Sequence, residues 1–360
     1  MPILAMDGFL DVNPTTVQGA ATGGSVPIPG CPYNVAYGSS ANFSSVRLSK
    51  VDGWLQCENV VGTGGTNVTK FAALQRPLAD ALTFRDGVLA YGGFRFRKRT
   101  AYYNANLISF NLATTPVVGG TWILSYPDLP GAAANKEFFF EWAVDTVTRT
   151  VRRRIDGVRL SDVPFNTTIN AAFLSGSIIL SIGTLNASIS QAGSLGLDIR
   201  DVYFGERTAE ETSDWLGPIA VEPLPVSSIT SPWAGVTQAG GAIDPLVALN
   251  TPITGGADML YPVVRTDSGE TEATLKVDAP TTPGKVLAVS GQLLATRAPG
   301  VVANLSLTIG LGASVSTPQA WGVDSTQTRC PVPLMARAPD GSAWTKQRIT
   351  DMVIKLKPGL

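Results

Sequence analysis

The sequence predicts an all-β chain of two β-sandwich domains joined by a proline-rich connector. Three observations carry this. Charged residues make up 15% of the 360 residues while Gly (37) and Pro (25) are frequent, a mixture that favours short strands and many turns. Apolar residues alternate with period two in several segments, and no long stretch sets them at i, i+3, i+4 and i+7 among good helix formers. Pro218, Pro223, Pro225, Pro232 and Pro245 cluster after one completed strand pattern and before another.

Taken in order, residues 1–60 are Gly/Ser/Pro-rich, with short apolar runs in "VPIPGCPYNVAYG" and "VDGWLQCENVVG". They read as edge strands and loops, either part of the first sandwich or an attachment segment. Residues 61–217 are expected to form that sandwich. In "DGVLAYGGFRFRKR", Phe94 and Phe96 fall on one side of a strand, and Arg95, Arg97 and Arg99 on the other. "GTWILSYP" is a short apolar strand closed by Pro127 and Pro130. In "EFFFEWAVD", Phe138, Phe140, Trp142 and Val144 share one face, and Glu137, Phe139, Glu141, Ala143 and Asp145 share the other. That alternation predicts an antiparallel strand with one face in the core and one wetter. "DTVT" is its turn, "RTVRRRIDGV" the return strand, and "GSIILSIGTL" and "LGLDIRDVYFG" two further strands. Residues 218–245 are the connector, because proline at this density cannot sit in central strands. Residues 246–360 are the second sandwich, with strands in "MLYPVVRT", "EATLKVDA", "KVLAVSGQLLAT", "NLSLTIGLG" and "MVIKLK". "SAWTKQRIT" suits one helical turn capped by Ser342 or Thr345.

Composition narrows the chemistry. The chain has no histidine, which excludes a Ser-His-Asp triad, a Cys-His pair, a His-ligated zinc and a His general base. Lys and Arg (27) nearly balance Asp and Glu (28), so neither nucleic acid nor an anionic membrane is expected as a bulk partner. The start lacks the basic and apolar regions of a secretory signal, and no apolar run is long enough to span a membrane. Cys31, Cys57 and Cys330 form no CxxC; a Cys31–Cys57 bridge stays open. No cofactor is expected.

"FFFEWAVDTVTRTVRRRIDGVRLSDVPF", "LGLDIRDVYFGE" and "DWLGPIAVEPLPV" resemble a laminin-G/concanavalin-A-like jelly roll of bacteriophage tail and appendage proteins. The ending "AWTKQRITDMVIKLKPGL" resembles the closing segment of a second domain in such proteins. The resemblance touches residues 84–225 and 259–360 through short motifs. It implies a structural virion protein (tail fibre, baseplate or collar) made in the host cytoplasm. Such a protein would pack against copies of itself and against neighbouring virion proteins. Poor alternation in "GSIILSIGTL" and "KVLAVSGQLLAT" leaves more apolar strand surface than one small core needs, which predicts a homo-oligomer with threefold or other cyclic symmetry. The alternative function is a carbohydrate-binding adhesin whose partner is a host-surface glycan. A polysaccharide hydrolase stands third, and no enzyme is expected.

The candidate residues are weighed on those terms. A glycosidase needs two carboxyl groups about 5–9.5 Å apart. Glu137 and Glu141 share a face about 13 Å apart along the strand, with Phe139 between them. Arg95, Arg97 and Arg99 are candidates for a subunit interface or a polyanion-contacting face. The simpler reading sets them against acids of the neighbouring strand. Asp156, Asp162, Asp198 and Asp201 lie near turns without the spacing of a calcium loop. Tyr91, Tyr102, Tyr103, Trp122 and Trp233 suit core or interface positions before sugar stacking. Glu141, Arg152 and Arg154 are expected to form a structural charge pair across the hairpin. A turn centred on Thr146–Val147 sets Glu141 against Arg152; a four-residue turn at 146–149 sets it against Arg154. Either pairing would favour the ionised carboxylate.

Overall fold

The computed structural model describes residues 136–165, 194–208, 215–231, 233–236, 241–250, 271–297, 303–325 and 328–359, together with the strand segments named below and isolated positions. The chain divides into two compact units, Met1–Val221 and Glu222–Leu360. Both are built mainly of strands in antiparallel sheets, the sandwich class that the sequence predicts.

Unit 1 contains β1 (Ile3–Asp7), β2 (Thr15–Gln18), β3 (Gly24–Pro27), β4 (Asn34–Tyr37), β5 (Phe43–Val51), β6 (Trp54–Val61), β7 (Lys70–Pro77) and β8 (Val88–Lys98). It continues with β9 (Leu107–Ala113), β10 (Trp122–Ser125), β11 (Glu137–Asp145), β12 (Thr150–Ile155), β13 (Val158–Arg159), β14 (Val163–Pro164), β15 (Ile179–Asn186) and β16 (Ser194–Thr208). The larger sheet runs β13-β12-β11-β8-β16-β6-β5-β2, with β1 on β16 and β14 on β12. The second runs β10-β9-β15-β7-β4-β3. Strands from the first 60 residues therefore belong to the sheets of unit 1.

The larger sheet has an aromatic face. Phe94 and Phe96 of β8 meet Phe140 and Phe138 of β11 at ring-centroid distances of 5.4 and 5.5 Å. Trp142 packs on Phe204 at 6.3 Å. Burial of each such ring stabilises by about 1.5–3 kcal/mol, which makes this face the anchor of the unit. The opposite face was expected to be wetter. Instead every residue from Phe138 to Val144 is buried, so β11 is covered on both sides.

The hairpin register is that of the four-residue turn: Phe140 opposes Ile155, Glu141 opposes Arg154, and Val144 opposes Val151. Asp145 fixes the turn by accepting hydrogen bonds from the N–H groups of Val147 and Thr148, both at 3.0 Å. Arg153 consequently points to the aromatic side and sends its guanidinium out to the carbonyl of Ser161 at 2.6 Å.

Unit 2 contains β17 (Val226–Thr230), β18 (Ala234–Val236), β19 (Ala242–Ile243), β20 (Val263–Arg265), β21 (Ala273–Val277), β22 (Val289–Ala295) and β23 (Ala303–Leu311). β24 (Ser314–Val315), β25 (Gln319–Val323), β26 (Thr328–Met335) and β27 (Val353–Gly359) complete it. β17-β21-β27-β23-β24 form one sheet with β25 on β23, β22 pairs β26, and β18 joins β19 and β20. Leu275, Leu307, Ile309, Trp344, Ile349 and Leu356 are central to its core. Helix Lys346–Asp351 starts at Thr345, whose hydroxyl accepts the Arg348 N–H, one of the two caps expected.

The stretch expected as a connector holds β17, β18 and β19. Its prolines flank these strands rather than interrupt them, and β17 lies at a sheet edge, where proline neighbours are tolerated. Residues 217–221 belong to unit 1, and Glu222 onward to unit 2.

Candidate functional site

The covered face of the larger sheet is built by four adjacent strands, β12, β11, β8 and β16. Cross-strand partners share a face, so Arg154, Glu141, Gly93 and Tyr203 form one row across the sheet. Phe139, Arg95 and Arg200 form the next row, and Glu137, Arg97 and Asp198 the one after.

Straight alternation along β16 would put Tyr203 with the core residues. It does not, because Asp201 and Val202 together oppose Phe94, a β-bulge that advances the strand by one residue. Asp201 takes the positive φ of 54° that this requires, a conformation Asp tolerates better than most residues. After the bulge, Phe204 enters the aromatic core and Tyr203 turns to the charged face. Gly92 and Gly93 make room on both sides. A Cβ on Gly92 would lie 2.7 Å from the Trp142 ring, and one on Gly93 would lie 2.6 Å from the Tyr203 ring. Tyr203 thus reaches across Gly93, and its hydroxyl donates to Glu141 Oε1 at 3.1 Å.

Charges on this face answer one another. Arg95 Nη1 lies 2.6 Å from Glu137 Oε1, and Arg95 Nε lies 3.0 Å from Asp201 Oδ2. Arg200 donates to both Glu137 oxygens at 3.0 Å. Arg97 Nε meets Asp198 Oδ2 at 2.6 Å, and Arg152 meets Asp145 at 3.0 Å. The buried Trp54 ring lies under two guanidinium groups, with Arg97 at 4.6 Å and Arg200 at 4.2 Å from its centroid.

A strap that belongs to no strand, residues 215–221, lies against the face. Gly217 N–H donates to Glu141 Oε1 at 2.9 Å. Arg95 Nε donates to the Ile219 carbonyl at 3.3 Å, and Val221 N–H donates to Asp201 Oδ1 at 2.8 Å. The Arg154 guanidinium stacks on Trp215 at 4.9 Å. Trp215, Gly217, Ile219 and Val221 therefore meet β12, β11, β8 and β16 in the order of the sheet, while Pro218 and Ala220 are exposed.

Burial sets the titration. Glu141 is 1% exposed; burial raises its pKa, against the hydrogen bonds from Gly217 and Tyr203 and the charge of Arg154. Burial likewise raises Asp201, against the Val221 N–H and the charges of Arg200 and Arg95. Glu137 moves down: its burial penalty is outweighed by hydrogen bonds from Arg95 and Arg200 and by their charges.

Several sequence expectations are corrected here. Arg152 pairs with Asp145 rather than Glu141. Arg154 opposes Glu141, yet the hydrogen bonds to Glu141 come from Tyr203 and Gly217, and the carboxylate is pushed towards its neutral form. Arg95 and Arg97 do not present an open basic face, because carboxylates and the strap engage them; Arg99 lies outside the described residues. Tyr91 is buried at 1% and Trp233 packs against the core of unit 2, so neither is a sugar platform. Tyr102, Tyr103 and Cys31 lie outside the described residues, as do the side chains of Trp122 and Cys57. Asp156, Asp162, Asp198 and Asp201 do not converge, and no metal-binding group of His, Cys, Asp or Glu occurs among the described residues.

Sequence reasoning missed Arg200, Tyr203 and the strap, and met Asp201 only as a turn residue. The adjacent glycines inside a strand were the available signal, since such positions mark the close approach of something large.

No family model matches the chain, and no curated protein matches it. Among solved structures, an alginate lyase from Pseudomonas aeruginosa is 8% identical, with a TM-score of 0.32, over 44% of this chain and 86% of that one. Lectin II from Ulex europaeus is 10% identical, with a TM-score of 0.31, over 51% and 95%. A sialidase is 12% identical, with a TM-score of 0.28, over 53% of this chain; the match spans 19% of the sialidase. Likeness at this level describes no residue of the face, whose chemistry follows from its own side chains.

Proposed function

We infer that the protein is a non-catalytic assembly protein, a structural component of a virion as its motif resemblance implies. The observation that supports this is the internally paired charged face. Its carboxylates are engaged by arginines and by the strap, and Glu141, 1% exposed, accepts the Gly217 N–H and the Tyr203 hydroxyl. A glycosidic acid must be protonated and reach substrate; Glu141 meets the strap's backbone instead. Mass spectrometry of purified particles tests the role. The protein should appear in fixed stoichiometry with the other particle proteins, and its absence from the particle would overturn the reading.

A second reading, carbohydrate attachment, has its own observation in unit 2. A depression of about 230 Å³ has Leu307, Ile309 and Val332 at its floor and Ser316, Thr317 and Gln319 at its rim. An apolar floor with a few polar groups at the edge suits a small ligand with one apolar and one polar side, such as a sugar ring. A glycan array separates the readings: binding abolished by Gln319→Ala favours attachment, and no binding leaves assembly alone.

A further inference from the structure

The strap offers backbone groups to its sheet at three positions. The face accepts an N–H at residue 217, donates to a C=O at 219 and accepts an N–H at 221. Trp215 adds a side-chain contact, with the Arg154 guanidinium over its ring. No residue of 215–221 takes part in a strand ladder, so removing the strap breaks none of the sheet's own pairing. It is also the terminal element of its unit, which ends at Val221. Four strands that engage alternate residues of one segment form a receptor for that segment, whichever molecule carries it.

We propose that the strap is an exchangeable element: residues 215–221 of one copy occupy the charged face of a second copy and link the two. This rests on the assembly reading above. Each contact given up within a chain is regained between chains, so concentration rather than any new bond sets the balance. The occupant is specified by the face itself, since the two acceptors and one donor match the strap's own backbone at two-residue spacing, and Arg154 is placed for its indole.

Complementary variants of the full chain test the exchange. Arg95→Ala with Glu141→Ala keeps the strap and breaks the face. Gly217→Pro keeps the face and breaks the strap, because it removes the N–H and cannot adopt the φ of 75° found there. Near-ultraviolet circular dichroism first establishes that both variants are folded. Native mass spectrometry of an equimolar mixture should then show a species at twice the 37.7 kDa chain mass that neither variant forms alone. A mixture that stays monomeric overturns the exchange.

Should either variant fail to fold, a labelled peptide of residues 213–223 replaces the mixture, read by fluorescence anisotropy against wild type and Trp215→Ala. Loosening the chain's own strap should tighten peptide binding about two- to fivefold, because that strap competes at high effective concentration and is then held less firmly. Equal binding, or none to either, overturns the proposal. Light scattering on wild type keeps the two readings apart. Assembly of wild type without pairing of the variants removes the exchange alone, and pairing of the variants with wild type monomeric in solution and absent from particles removes the assembly reading alone.

Discussion

On one side of residue 221, Glu141 and Asp201 accept backbone N–H groups from Gly217 and Val221. On the other, Glu222 accepts the N–H groups of Thr281 and Thr282 at 2.7 and 2.9 Å and the Thr281 hydroxyl at 2.6 Å. The parts are alike, a carboxylate holding the backbone of a distant segment, yet the groups titrate in opposite directions. Glu141 and Asp201 are raised because burial outweighs their donors. Glu222, partly exposed, has a burial penalty that its Thr281 and Thr282 donors overcome, and it falls to about 2. The difference teaches that hydrogen-bond partners alone do not set a carboxylate's charge; the water it has lost decides.

The largest expected effect comes from Gly93→Ala. The new methyl meets both the Tyr203 ring and the Phe140 carbonyl, at 2.6 and 2.9 Å, and neither yields cheaply. Urea unfolding should show unit 1 destabilised by about 1–3 kcal/mol, the cost of overpacking. Hydrogen exchange at Gly217 should accelerate, and exchange at Thr281 should stay unchanged. Equal acceleration at both would break the distinction between the two clasps.

Next is Asp201. Asp201→Asn keeps a residue that tolerates positive φ and an oxygen for Val221, but removes the charge beside Arg95 and Arg200. Asp201→Ala removes all three. Alanine should cost about 1–3 kcal/mol, asparagine distinctly less. Equal losses in thermal melts would mean that the ion pairs, rather than the bulge and the strap bond, matter at this position.

The pH test sharpens the comparison with smaller effects. Glu141 has a folded pKa above the ordinary 4.5, so its contribution is full in acid and is lost as pH rises through the folded value. Relative to wild type, Glu141→Gln should therefore gain in melting temperature between pH 4 and pH 7. Glu222 contributes above its ordinary 4.5 and loses that contribution as pH falls towards about 2. Glu222→Gln should accordingly lose against wild type between pH 2 and pH 5. Parallel curves for the two variants would show that burial does not separate them. Smallest of all, Trp215→Ala should cost about 0.5–1 kcal/mol through the lost guanidinium stack, read as faster exchange at Gly217.

Much of the fold was legible because its signals are local. Period two in "FRFRK" and "EFFFEWAVD" marked β8 and β11, the four-residue turn gave one of the two expected registers, and Thr345 marked a helix start. The covered face was not legible, for a physical reason. The strap is held through backbone N–H and C=O groups, and a sequence names side chains without saying where backbone groups go. Proline in "LGPIAVEPLP" correctly excluded central strands, but a strap on a sheet face needs no ladder and tolerates proline freely. Arg200 and Tyr203 stayed hidden because the bulge between them breaks the alternation on which face assignment depends.

That bulge also has a consequence for how the strand tolerates change. Residues 201 and 202 together fill one position of the ladder, and that extra residue sets the face of everything downstream. A deletion of Val202 would straighten the strand and leave Tyr203 and Phe204 opposite Gly93 and Gly92 on their present faces, while Asp201 would turn from Arg95 into the aromatic core opposite Phe94. Substitutions upstream and downstream should be accepted in opposite phase, so a saturation scan along β16 would show its pattern of permitted residues skip a beat at Asp201.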